Sequence, residues 1–157
     1  MRSKLTGIVC AALVALSSAP SRAADTGPAV RQPSASERVD LAREAIRKQD
    51  WRRSLAELNL AVREEPRNAD AHNLLGYTYR KQATPNLPKA FEHYKTALSL
   101  NPKHRGAHEY VGEAYLMDKK PQEAEKHLAE LEKICGNKTC EEYADLAKAI
   151  ADYKAKN

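Results

Sequence analysis

Two cysteines and a scatter of histidines are the side chains of this 157-residue chain whose chemistry reaches furthest. Cys135 and Cys140 are separated by Gly136-Asn137-Lys138-Thr139. A turn of that length can bring two α-carbons within the roughly 4.4–6.8 Å that a disulfide requires. Such a bridge would staple the last helix of the chain to what precedes it. In a chain-entropy picture so short a loop contributes roughly 2 kcal/mol, local order more than global stability. The rival reading makes the pair a redox-active or metal-handling site. Four intervening residues are not the C-x-x-C of thiol oxidoreductases, so a structural disulfide is preferred, although a helix N-terminus would lower the Cys140 thiol pKa in either case.

His104 and His108 stand four apart, a spacing that on one helix would offer two imidazoles to Zn or Cu. His108, however, returns 36 residues after His72 at a position that calls for a large packing residue. Recurrence explains it without a metal, and neither metal nor cofactor is expected. His93 and His127 have charged neighbours and read as surface residues. No Gly-rich phosphate loop, G-x-S-x-G elbow or H-E-x-x-H occurs, so the chain is expected not to be an enzyme.

The elements that carry these residues repeat. Leu75-Gly76-x-x-Tyr79 returns as Val111-Gly112-x-x-Tyr115, and Pro66 returns as Pro102, with a period of 36. Ala90 and Tyr94 return as Ala124 and Leu128 with a period of 34, which places a two-residue insertion at residues 83–88. Repeats of this length are stacked supersecondary units. The apolar periodicity predicts helices from an N-cap at Ser36, over 51–64 ending at Pro66, then over 69–82, 88–100, 105–118 and 121–135. Thr139-Cys140-Glu141-Glu142 reads as a capping box that opens a last amphipathic helix, with Tyr143, Leu146, Ala147, Ile150 and Tyr153 on one face.

The ends bound the setting. Residues 1–23 read as a cleaved signal peptide, with Arg2 and Lys4 before an apolar run and Ser21-Arg22-Ala23 at the cleavage site. The apolar run would make roughly 18 Å of helix, short of the ~30 Å a bilayer core demands, so no membrane insertion is expected. Losing Arg2, Lys4 and Arg22 lowers the formal charge from +5 to +2, which argues against nucleic acid. Cys10 would leave with the leader, and the remaining even pair suits an oxidising compartment. The expected product is exported, periplasmic or secreted, with a flexible linker at 24–35 and one domain at 36–157 whose capping helix covers 139–155.

The 34-residue unit resembles the tetratricopeptide (TPR) repeat, whose pattern is large-x-x-L-G-x-x-Y, then A-x-x-x-F/Y-x-x-A and a proline. The middle unit matches it through His72, Leu75, Gly76, Tyr79, Ala90, Tyr94, Ala97 and Pro102. The third keeps His108, Val111, Gly112, Tyr115 and Ala124, but has Leu128, Leu131 and Gly136 at the later positions. The first keeps Leu41, Ala42, Leu58, Ala61 and Pro66, with Ala45 in place of the tyrosine. The fold implied is an all-α, right-handed solenoid of helical hairpins, three repeats plus a C-terminal capping helix.

The resemblance also implies a role. In TPR proteins the first helix of each pair lines a concave groove that holds a peptide. Carried onto this chain, the groove residues are Arg43, Arg47, Asn73, Tyr77, Arg80, Lys81, Glu109 and Glu113, basic at one end and acidic at the other. Val39 and Arg43 stand where the carboxylate clamp of cytosolic chaperone adaptors has Lys and Asn, so that specific function is not expected. The expected partner is another envelope protein or a peptide of one, bound by a non-catalytic scaffold. The alternatives are a thiol-redox or metal-handling accessory built on Cys135 and Cys140, and self-association through an uncapped end.

Overall fold

Helical propensity is punctuated in this chain by short polar caps, and each cap sets where a helix begins. The structure, a computed structural model, describes residues 31–157, of which Gln32–Asn157 form one unit. The expected signal peptide and most of the linker lie outside the described residues. Among the described residues seven helices follow one another: α1 (Ala35–Arg47), α2 (Trp51–Glu64), α3 (Ala69–Lys81), α4 (Leu87–Leu100), α5 (Arg105–Met117), α6 (Pro121–Cys135) and α7 (Glu141–Lys156). Asp50, Asn68, Asn86 and His104 each accept a hydrogen bond from the backbone N–H three residues on, satisfying a donor that the helix leaves free.

Two expected caps are corrected. The N-cap of α1 is Ser34, not Ser36: Ser34 and Glu37 form a reciprocal capping box that Ser36, followed three residues later by Val39, cannot make. At α7 the N-cap is Cys140, and no side chain caps it. Thr139 spends its hydroxyl on Asn137 Oδ1 at 2.9 Å, and Glu142 pairs with Arg105 at 3.4 Å, so the expected capping box is not formed.

The hairpins are built alike. The backbone N–H of Asp50 bonds Ala45 O, that of Lys120 bonds Tyr115 O, and that of Asn86 bonds Tyr79 O, at 2.8, 2.8 and 2.9 Å. The first two span five residues and the third seven, which locates the two-residue insertion of the middle repeat in the α3–α4 turn. Gln49 and Lys119 adopt positive φ at the equivalent turn of the other two repeats. The longer turn replaces that left-handed residue.

Packing follows the large and small positions. Gly76 is small because a Cβ there would stand 2.5 Å from the Tyr94 ring, and the fully buried Tyr94 is what joins α3 to α4. In the third repeat Leu128 replaces the aromatic, and a Cβ on Gly112 would stand 2.6 Å from Leu146 of α7 instead. The capping helix thus fills the space over Gly112, with Leu146 and Ile150 buried against Leu116, Ala124 and Leu131. Further clusters join α1, α2 and α3 through Val39, Leu58 and Leu75, and α4 to α5 through Ala90, Tyr94 and Val111. A buried hydrogen bond of 2.8 Å between Ser54 and Thr78 ties α2 to α3. Helices α1, α3, α5 and α7 are successive neighbours along one side of the stack.

Candidate functional site: the groove of the first helices

The side formed by α1, α3 and α5 is open and lined by aromatic and basic groups at its N-terminal half. A cavity of about 510 Å³ is bounded by Ile46, Arg47, Gln49, Trp51, Tyr77, Lys81 and Ala83. A second, of about 210 Å³, is bounded by Arg43, Ile46, Arg47, Leu74, Tyr77 and Tyr110. Tyr77 is shared by both and packs on Tyr110 with ring centroids 4.8 Å apart. Arg43, Arg47 and Lys81 are exposed, and the Lys81 ammonium lies 6.0 Å from the centre of the Tyr77 ring. Tyr77 offers a flat apolar surface flanked by cations.

Not every expected lining residue is at the surface. Arg80 is only 5% exposed. Its guanidinium pairs with Glu113, donates from Nε to the Tyr94 hydroxyl at 3.3 Å, and lies 5.4 and 5.8 Å from the centres of Tyr77 and Tyr110. Arg80 is therefore a tie between α3, α4 and α5, and a correction to its reading as an exposed recognition residue. Asn73 and Glu109 are buried as well, at the same position of successive repeats. Of the eight expected groove residues, Arg43, Arg47, Tyr77 and Lys81 line the cavities, and Asn73, Arg80, Glu109 and Glu113 lie beneath or beyond them.

The C-terminal half of the groove is acidic. Glu109 carries its pKa up to about 8, from burial first and then from Glu113, Asp145 and Glu142, against the pull of Arg80. Burial and the Glu109 charge push the Tyr110 phenol up to about 12, and burial raises Tyr77 too.

The histidines form pairs that the sequence reading missed. His72 and His93 meet through Nδ1 atoms at 3.2 Å, and His108 and His127 through Nδ1 atoms at 2.9 Å. His72 Nε2 lies 3.1 Å from Pro66 O, and His108 Nε2 lies 3.0 Å from Pro102 O. A carbonyl can only accept, so Nε2–H is fixed in both rings, Nδ1 of His72 and His108 must accept, and Nδ1–H of His93 and His127 donates. Tyr79 stacks on His93 and Tyr115 on His127. His93 and His127 are thus half-buried members of the packing, not surface residues. Burial, then the facing histidine, lowers both, His127 to about 4. The signal was present in the sequence, because both partners recur once the two-residue insertion is allowed for.

His104 and His108 do not converge. His104 caps α5 through Nδ1 and reaches Asp70 through Nε2 at 2.9 Å, while His108 turns to His127. Cys135 and Cys140 are joined as a disulfide with α-carbons 6.3 Å apart, and Gly136 takes the left-handed conformation that ends α6 between them.

The tetratricopeptide repeat profile matches the chain twice, over residues 39–98 and 85–138. No curated protein matches it. Among solved structures, the TPR2B-domain:pHsp70 complex of yeast Sti1 contains a chain that superposes with a TM-score of 0.69 at 14% identity, over 78% of this chain and 98% of that one. At that identity the likeness concerns the fold alone. The two profile matches together span well over half the sequence, and with three helical hairpins in register and a seventh helix closing the stack, the chain belongs to the tetratricopeptide repeat family.

Proposed function

We propose that the chain is a non-catalytic scaffold of the cell envelope that holds a peptide segment of another envelope protein in the groove of α1, α3 and α5. The observation that carries this reading is the open, aromatic-floored cavity around Tyr77, flanked by Arg43, Arg47 and Lys81 and filled by no part of the described chain. Peptide capture is what TPR grooves generally do, and the Sti1 domain was solved with a pHsp70 partner. Here the flanking cations favour a segment with acidic residues at one end and an apolar side chain for Tyr77. The leader-like start and the disulfide support an exported setting.

The test is photo-crosslinking in an envelope extract, with a photoreactive amino acid in place of Lys81, followed by identification of the cross-linked segment by mass spectrometry. A synthetic peptide of that segment should bind the purified protein, and the R43E/R47E variant should bind it at least about tenfold more weakly. Both arginines are exposed, so folding is preserved. Unchanged affinity in that variant would move binding off the groove.

A further inference from the structure

Glu109 is 9% exposed, yet it makes no hydrogen bond and no ion pair with any described residue. The residue is largely covered but neither carboxyl oxygen is sealed, so the group stays open to a donor brought from outside the described chain. The charges that act on it most are three further carboxylates, Glu113 on its own helix with Asp145 and Glu142 on α7, opposed by Arg80 on α3. That cation is ion-paired with Glu113 and bonded to Tyr94, its buried Nη2 held by the ion pair alone without a hydrogen bond, and Glu142 faces Arg105. One repeat earlier, Asn73 at the equivalent position is 5% exposed and has Oδ1 buried with no donor. Equivalent positions of successive repeats thus each carry an acceptor that no described residue supplies with a donor, and the second of them, Glu109, is the one among carboxylates.

We propose that this acidic half of the groove, centred on Glu109 between α3, α5 and α7, is a subsite for a cationic side chain, a lysine or arginine carried by the bound segment. The proposal rests on the reading of the groove as a peptide site and names the chemistry of its second half. A long, flexible cation suits the spacing better than a metal ion. The only three donor side chains within 4.8 Å of one another among the described residues are Cys135, Cys140 and Glu142, and both sulfurs there are consumed by the disulfide. No three carboxylates here come within 4.8 Å of one another, so a metal ion would lack its protein ligands, whereas a lysine or arginine head needs only one or two of these oxygens and keeps water on its remaining donors. Tyr110, against Tyr77, supplies a ring face for the methylene stem. The bound segment thus carries opposite charges at its two ends, acidic over Arg43 and Arg47 and basic over Glu109, which fixes its direction.

The experiment uses the purified, isotope-labelled protein and the probe Ac-Ala-Lys-Ala-NH2, with its norleucine analogue as control, read by NMR on the side-chain carboxyl carbons. The lysine probe should shift Glu109 and Asp145 saturably, moving Glu109 towards its ionised position at pH 7, while the norleucine probe leaves them in place. Glu109→Gln should weaken lysine binding about fivefold or more with an unchanged fold by circular dichroism. Equal shifts from both probes, or full affinity in E109Q, would overturn the subsite and leave Glu109 as a protonated packing group. The two readings fail separately. If the subsite is wrong but the groove is right, the segment cross-linked through position 81 still binds, and replacing its basic residues by Gln costs nothing. If the groove reading fails, no cross-linked segment is found while the lysine probe still reports on Glu109.

Discussion

His127 and His108 face each other through Nδ1 atoms 2.9 Å apart, and the backbone carbonyl of Pro102 decides which of the two donates. His108 must keep its proton on Nε2, so the pair tolerates one added proton, on His127 Nε2, but not two. A second proton would place two Nδ1–H groups head to head between α5 and α6. The same arrangement joins α3 to α4 through His72 and His93.

Acid should therefore loosen the stack. The folded pKa of His127 is lowered to about 4, whereas an unfolded histidine titrates near ~6.5. Between those values the unfolded chain binds more protons, so stability rises with pH there. The contribution is fully present above pH ~6.5 and is lost as pH falls towards about 4. Partial exposure discounts it to about 1–2 kcal/mol. Urea unfolding at several pH values should show a shallower loss in His127→Phe, which keeps the stack on Tyr115 and cannot titrate. An identical slope in that variant would exclude the pair as its source.

Glu109 works in the opposite direction. Its folded pKa is raised to about 8, while an unfolded glutamate titrates near ~4.3. Between these the folded state binds more protons, so the cost of Glu109 appears as pH rises through the window. Glu109→Gln should leave stability unchanged at pH 4 and raise it by about 1–2 kcal/mol at pH 8, the full linkage being discounted for solvent screening. Thermal unfolding at the two pH values checks this. A variant equally destabilised at both would mean that the carboxyl has a structural partner after all.

Arg80 separates architecture from recognition. Removing it strands Glu113 and the Tyr94 hydroxyl at a three-helix junction, so Arg80→Met should cost about 3 kcal/mol. Arg80→Lys should recover only part of that, because one ammonium cannot serve a carboxylate and a phenol from a planar fork. Lys81→Glu, one residue further and exposed, should change stability by less than about 0.5 kcal/mol. Chemical denaturation of the three variants orders them, and near-equal losses would contradict the assignment of Arg80 to the core.

What the sequence disclosed and what it withheld divide along physical lines. Leu75-Gly76-x-x-Tyr79 and its echo encode contacts within one hairpin, and a Gly opposite a Tyr has meaning only if two helices nearly touch there. The insertion showed equally well, because it shifts one landmark against another. Ser34 was legible too: Ser34-x-x-Glu37 satisfies the capping pattern that Ser36 does not. Thr139-x-x-Glu142 satisfies the same pattern and fails, since both side chains have better partners nearby. Arg80 and Glu109 were out of reach for a different reason. A charged residue on the outer face of an isolated hairpin is exposed, and it becomes buried only when the neighbouring repeats close over it.

The disulfide offers the last test, and a local one. It closes a loop of four residues at the junction of α6 and α7, while α7 is independently docked through Leu146 and Ile150. In the chain-entropy model a loop so short adds roughly 2 kcal/mol, and the helix N-cap at Cys140 has no side-chain hydrogen bond to replace it. Cys135→Ser/Cys140→Ser should therefore speed amide hydrogen exchange along α7 and at the end of α6. Helices α1 to α4, which do not touch α7, should keep their protection. Because Glu142 and Asp145 lie on α7, the same variant should also weaken the lysine probe, with the Arg43 and Arg47 end unaffected. Uniform loss of protection across all seven helices would instead mean that the bridge holds the whole stack, and exchange unchanged even in α7 would reduce the disulfide to an ornament of the turn.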